Sequence, residues 1–367
     1  MIENVRKVQS RMEREQAEQK FQEQCFEPLF VDWTQTVTEQ YGKDYERVET
    51  LLLAHGKGFL GALVKMQEQL DCRVCILTFS ILWTSLLQGK PAILIEAYED
   101  IPFGSDPVLS EKIPAPWLFY GWSGFVGALE KKCGELALNT YIRLPEIRTK
   151  ALEAAQNILI TYCMMMKAHL RQLPQTEEWA SVRKQEFFFV SAGEYMERQL
   201  PLLGERPELD LAYLESGTDA RFSKFKDCTF TGQTFSQLFL ADTAFHHCVF
   251  QGVTFEKCAL CDALFVDCTF ENCTLSDLSI MGAEFYATRF TGVKFYCVWS
   301  DLGQSREKKD CVSCGQTTFT NCLLERTQFQ DSNLSEAKID SCQFIELSAD
   351  NSVLCPTLQN QIETEEG

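Results

Sequence analysis

The sequence predicts a two-domain α + β protein: an all-α helical bundle over residues 1–205, a solenoid over 215–355, and a polar acidic tail over 356–367. Three observations carry this reading. Apolar residues keep helical spacing through the first 200 residues. From about residue 215 that spacing gives way to a texture rich in Phe, Cys, Thr and Asp. In the second part, large apolar residues recur every five positions. Neither the 3.6 period of a helix nor the 2 of a strand produces a period of five, so each group of five must be a unit that turns a corner. Units of that kind stack into a solenoid.

In the first part, residues 2–24 read as a charge-dense helix with a thin apolar stripe at Ile2, Val5, Val8, Met12 and Phe21. Trp33, Val37, Tyr41, Tyr45, Val48 and Leu52 follow helical spacing, and Gly56 and Gly58 read as a stop. Helices are then expected over 60–70, over the apolar stretch 72–87 ended by Gly89-Lys90-Pro91, and over 92–98. Residues 101–117, with Pro102, Pro107, Pro114 and Pro116, read as a loop. Further helices are expected over 118–136, 145–172 and 177–200, which makes a bundle of six to eight helices.

In the second part the series runs Phe225, Phe230, Phe235, Leu240, Phe245, Phe250, Phe255, Leu260, Phe265, Phe270, Leu275, Ile280, Phe285, Phe290, Phe295. Two positions before most of these stands a smaller residue, among them Ser223, Cys228, Thr243, Cys248, Cys258, Cys268 and Thr288. Both positions point to one interior, and the other three positions of each unit face water. A second period of twenty appears in the aliphatic centres Leu240, Leu260 and Ile280. It recurs in Gly232, Gly252, Asn272 and Gly292, residue types that tolerate the positive φ of tight turns. A coil of four five-residue sides accounts for both periods. The series resumes at Phe319, Leu324, Phe329, Leu334, Ile339 and Phe344 after a slip of frame. Ser300 stands where a core residue is due, so a loop near 301–316 leaves the coil there. Twenty-one such units make a little over five coils.

These residues resemble the pentapeptide-repeat family, whose loose pattern is a small residue, Asp or Asn, Leu or Phe, and two polar positions. Ala263-Leu264-Phe265, Ser332-Asn333-Leu334 and Ala337-Lys338-Ile339 fit it to different degrees, with Cys and Phe favoured here over the usual Ala and Leu. The resemblance covers about 130 residues. It implies a right-handed quadrilateral parallel β-helix and says nothing of residues 1–200. Some members of the family resemble duplex DNA in shape and charge and protect or inhibit topoisomerases such as gyrase, and in some of these a projecting loop contributes.

The net charge of −18, two-thirds of it from Leu209 onward, disfavours direct nucleic-acid binding and favours a protein partner with positive patches. No apolar run reaches the ~20 residues of a membrane helix, and the charged start lacks the core of a secretory signal, so a cytoplasmic protein with reduced thiols is expected. The pairs Cys72/Cys75, Cys258/Cys261 and Cys311/Cys314 have the spacing of zinc or redox sites. The first opens an apolar helix, the second is interior by phase, and the third lies in the loop without further ligands nearby. His55, His169, His246 and His247 have no triad or metal spacing, and Gly56-Lys57-Gly58 lacks the rest of a phosphate loop. No catalytic residue, cofactor or metal is therefore assigned. The expected function is a non-enzymatic interaction scaffold, with homodimerisation open. The alternatives are topoisomerase protection by DNA mimicry and an activity housed in the helical domain with the coil as its targeting module. Candidate partner-binding residues are Asp227, Asp242, Asp262, Asp267 and Asp277 on the acidic coil and Arg306, Glu307, Lys308, Lys309 and Asp310 in the loop.

Overall fold

The computed structural model describes residues 14–100, 102, 104–300 and 315–366. The helix-rich N-terminal region precedes a parallel solenoid, as expected, but that region is not all-α. It comprises α1 (Arg14–Phe21), a π-turn (Gln22–Phe26), α2 (Glu27–Gln69), β1 (Val74–Ile81), α3 (Trp83–Leu87), β2 (Ala92–Tyr98) and β3 (Leu109–Pro114). Then follow α4 (Trp122–Glu135), α5 (Leu144–Asn157), α6 (Leu159–Leu170), α7 (Glu177–Ser181), β4 (Lys184–Glu194) and β5 (Gln199–Glu205). The five strands form one sheet in the order β3-β2-β1-β4-β5, with β1 and β4 parallel and the other neighbours antiparallel.

The corrections have physical causes. β1 is buried on both faces except at Cys75, so its apolar run lacks the alternation that marks a half-exposed strand and reads like a buried helix. Cys72 and Cys75 therefore flank the start of a central strand rather than open a helix. β2 is disguised in the same way, being buried at every position but Leu94. In the stretch expected as one helix over 177–200, only α7 forms. Phe187, Phe188, Phe189 and Val190 are strand-forming residues, and the chain reverses after Glu194 through Met196, held at φ 60°. The proline-rich segment yields an edge strand that ends at Pro114, where no inward donor is required. Gly56 and Gly58 do not stop α2. A Cβ on Gly56 would lie 3.2 Å from Leu173 Cδ1, so glycine here permits close packing against the turn after α6. The core is aromatic: Trp33 stacks on Phe125 at 4.6 Å and donates its indole N–H to the Tyr120 carbonyl at 2.8 Å.

In the solenoid, three sides are parallel ladders that run through six coils, and the fourth is joined by single-residue bridges from Asp219 to Phe239 to Ala259 to Ser279 and by short strand pairings beyond, from Ser279 to Trp299 to Asn333 to Val353. The register follows the repeat, with Phe225, Phe245, Phe265, Phe285, Phe319 and Ile339 as successive neighbours. All fifteen large centres from Phe225 to Phe295 are buried. Phe265 lies in a column, 4.7 Å from Phe245 and 4.9 Å from Phe285, with ring planes within 10° of parallel. Phe285 pairs with Phe319, 34 positions on instead of 20, so fourteen residues are inserted between Ser300 and Gly315. Ser300 is buried and bonded to the Asn333 carbonyl. The expected loop, with Arg306, Glu307, Lys308, Lys309, Asp310, Cys311 and Cys314, lies outside the described residues.

Two further regularities explain the repeat chemically. Left-handed φ recurs almost every fifth residue, not only every twentieth: Asp227, Gly232, Gln237, Asp242, His247, Gly252, Lys257, Asp262, Asp267, Asn272 and Asp277 all lie between 51° and 66°. Each is the corner that turns one side into the next, and the frequent Asp, Asn and Gly there reflect their tolerance of this conformation. The small interior residue is a donor as well as a space-filler. The Cys258 thiol donates to the Phe235 carbonyl at 3.2 Å, Cys268 to Phe245, Cys273 to Phe250, Thr243 to Ala220 and Ser332 to Phe295. Cys, Thr and Ser interchange at this position because all three are small and carry a hydrogen for the coil below. After Leu354 the chain forms α8 (Pro356–Glu366), whose Leu358 and Ile362 are buried against the last coil.

Candidate interaction surface

The four sides of the solenoid are not equivalent. On the side centred on Leu240, Leu260 and Ile280, the positions that flank the core, Ala241, Ala259, Cys261 and Met281, are themselves buried. At its corner the Lys167 ammonium, delivered by α6, lies 2.8 Å from the Asp242 carboxylate and 2.6 Å from that of Asp262. Burial acts against the charge on Lys167, but the two carboxylates outweigh it and raise its pKa. Arg206, just after β5, reaches the Asp219 carbonyl and stands 4.7 Å over the Phe187 ring, while Phe222 packs where a side chain on Gly204 would be. This side is therefore the joint between the two regions. Asp242 and Asp262, expected on the acidic outer surface, are turned into it.

The other three sides face outward with side chains of both signs. The first carries Lys224, Lys226, Glu284, Lys338 and Asp340, the second Glu271, Arg289, Glu325 and Arg326, and the third Glu256, Lys257, Asp277, Lys294 and Asp331. On the first side the middle coils bring apolar residues together beside His246 and Glu284: Ala244, Leu264 and Val266 are half-buried and Tyr286 is 48% exposed. Its corner stacks Asp227, His247 and Asp267, with His247 Nδ1 3.3 Å from Asp227 and Nε2 3.5 Å from Asp267. Asp277 occupies a different corner column. The remaining histidine of note, His169, is buried and hydrogen-bonded through Nε2 to the Tyr41 hydroxyl, and burial lowers its pKa.

Lys167 lies outside the repeat, so sequence reasoning missed it. One signal was available: a single lysine in the apolar run Tyr162-Cys-Met-Met-Met-Lys167 needs a carboxylate if it is buried.

Among the described residues no helix is long and apolar enough to cross a membrane. The C-terminal half is a parallel β-solenoid with a five-residue repeat. Solved structures similar to the chain include QnrB1, a plasmid-mediated fluoroquinolone resistance protein, at 20% identity over 41% of this chain and 82% of that one, with a TM-score of 0.23. Another is HetL from the cyanobacterium Nostoc sp. strain PCC 7120, a pentapeptide repeat protein involved in heterocyst differentiation regulation, at 13% identity over 38% and 73%, with a TM-score of 0.15. A third is the pentapeptide repeat protein Rfr23 from Cyanothece 51142, at 8% identity over 36% and 87%, with a TM-score of 0.13. No family model matches the chain, and no curated protein does.

Proposed function

We propose that the chain is a protein-interaction scaffold in which the N-terminal region grips one side of the solenoid and leaves three sides for a protein partner. The observation that carries this reading is the asymmetry of the four sides, one committed to the joint and three bearing register-locked rows of outward side chains. A solenoid has much surface for its core, and its flat ladders suit recognition of a protein face. Both ends are occupied, by Leu211 at the start and by α8 at the finish, so the contact is expected on a side rather than an end. The first side is the best candidate because Leu264, Val266 and Tyr286 form an apolar strip between charged rims, the anatomy of a binding core.

Mixed charge on the outward rows, with Asp242 and Asp262 withdrawn from them, favours a general scaffold over mimicry of duplex DNA. The test compares Val266→Glu with Tyr296→Glu, which lies on the third side, in capture from the native host followed by direct titration of the captured protein. Loss of binding by the first variant alone, with both folded, supports the reading. Equal binding by both variants, or titratable binding of purified gyrase that weakens steeply with salt, would replace it.

A further inference from the structure

Just before each strand of the second side, the small interior position forms a column through the six coils: Cys228, Cys248, Cys268, Thr288, Cys322 and Cys342. Five of the six are thiols. Cys248, Cys268 and Cys322 are buried, whereas the two ends of the column, Cys228 and Cys342, are half-buried.

Cys322 and Cys342 are set opposite each other by the ladders before and after them. Thr320 pairs with Asp340 and Leu323 with Gln343, and the Gln343 N–H donates to the Cys322 carbonyl at 2.9 Å. Neighbouring strands stand about 4.8 Å apart, inside the range of Cα separations that a disulfide spans. The Cys342 side chain points onto the coil below: its Sγ receives the Cys322 N–H at 3.3 Å and donates to the Phe319 carbonyl at 3.3 Å. The strands Lys338–Asp340 and Gln343–Ile345 are the last of their ladders among the described residues. In this last coil Leu347 is buried, whereas Ile339, Cys342 and Phe344 are only partly buried and Ile345 is 47% exposed. A half-exposed thiol therefore rests on a buried one, as an attacking cysteine rests on a resolving one.

We propose that Cys342 and Cys322 form a redox-active dithiol, in which Cys342 attacks a low-molecular-weight disulfide of the glutathione type and Cys322 resolves the product into a disulfide between the last two coils. The Cys342 thiolate bonds to one sulfur of the reagent, whose S–S bond breaks and releases one thiolate. Cys322 then gives its proton to solvent and bonds to Cys342 Sγ, and the second reagent thiolate leaves. Two protein thiols are oxidised by two electrons, and the reagent is reduced to two thiols. The roles follow from the hydrogen bonds. Those from the Cys322 side chain and N–H lower the Cys342 thiol to about 7 against the effect of burial, and the same pairing raises Cys322. Cys248 is lowered to about 7 by Cys268 in the same way, but it is wholly buried and out of the reagent's reach. The last coil has a stacked neighbour on one side only, so it closes onto Cys322 without displacing another coil.

The test uses the full chain, reduced and under native conditions. A pulse of iodoacetamide should label Cys342 at least about tenfold faster than Cys322, Cys248 or Cys268. After exposure to oxidised glutathione, tandem mass spectrometry should find Cys342 joined to Cys322, in peptides that trypsin separates at Arg326 and Lys338. Cys322→Ser should stop at a glutathione adduct on Cys342, and Cys342→Ser should leave Cys322 reduced. Serine suits this kind of position, since Ser332 fills the equivalent place on the next side with its hydroxyl bonded to the Phe295 carbonyl. Hydrogen exchange at the Phe265 strand reports whether each chain retains the solenoid. A folded wild-type chain in which Cys342 stays reduced, or joins a cysteine other than Cys322, overturns the proposal whichever variants fold. So does a folded Cys322→Ser chain that takes up no glutathione at Cys342.

Discussion

The two regions of this chain are stabilised in different ways. In the N-terminal region each large side chain has its own surroundings: Trp33 touches Phe30 of its own helix and Phe119, Trp122 and Phe125 from a distant part of the sequence, so removing it disturbs several elements together. In the solenoid each centre repeats the role of the one before. Phe265 packs chiefly on the coils immediately above and below and on its neighbour Phe270. A sheet-and-helix core is cooperative across its whole width. A stack is a sum of nearest-neighbour terms, so damage to one coil should travel only a short way.

The largest expected effect tests that contrast directly. Phe265→Ala removes a fully buried ring from the middle of a column and should cost about 3–5 kcal/mol in denaturant unfolding, as should Trp33→Ala. The distinguishing measurement is hydrogen exchange. Phe265→Ala should raise exchange in the coils around 245–290 and spare β1 and β4, whereas Trp33→Ala should raise it throughout residues 27–170. Equal loosening of both regions by Phe265→Ala would show that the joint at Lys167 couples them into one cooperative unit.

A smaller effect is expected at the end of the stack. Leu358 of α8 is fully buried against the last coil, and Leu358→Ala should cost about 2–3 kcal/mol. Deleting α8 would uncover the strand at Val353–Leu354 and the apolar centres beneath it, and an exposed strand edge invites another chain. Sedimentation should then show end-to-end association beyond that of the intact chain. A deletion variant with the association state of the intact chain would mean that α8 fills space without guarding the end.

The same contrast decides how much of the fold was legible in the sequence. Fifteen equivalent centres from Phe225 to Phe295 give fifteen votes on one structural question, so period, interior and coil length emerge together, and Phe265 stacks where the phase puts it. In the N-terminal region nothing repeats. β1 lost its strand signature because tertiary packing covers both of its faces, and that information resides in its neighbours rather than in residues 74–81 themselves. The joint was hidden for a related reason. Asp242 and Asp262 match Asp227 and Asp267 in type and in corner position, and only the approach of Lys167 separates buried from exposed members of the series. The charge on the coil therefore overstated the acidity of its surface.

At the corners a modest effect is expected, and its sign depends on backbone rather than charge. Asp267 is half-exposed at φ 52°, and its side chain contacts only the ring of His247 among the ion pairs of this column. Asp267→Gly keeps access to the left-handed region and should leave stability nearly unchanged. Asp267→Ala should cost about 1 kcal/mol, because a Cβ without a local polar group disfavours that region. If Gly were the more damaging replacement, the aspartate would be acting through His247, and the loss would shrink in high salt.

The smallest effect concerns the donor at the interior position and separates its two roles. Thr243 is fully buried, and its hydroxyl donates to the Ala220 carbonyl of the coil below at 3.1 Å. Thr243→Val conserves volume but removes the hydrogen, so any loss reports the bond rather than a cavity. The Ala220 carbonyl also receives the Ser223 N–H at 3.3 Å, so it is not left without a donor. The cost should therefore stay at the low end for a neutral hydrogen bond, about 0.5–1 kcal/mol by denaturant titration. Thr243→Cys should retain most of the stability, since a thiol at the equivalent position in Cys258 and Cys268 makes the same donation. A valine variant as stable as the parent would mean that size alone selects this position. In that case the abundance of cysteine along the column would reflect volume, and the thiol donation would be a consequence of the packing rather than a cause of the sequence.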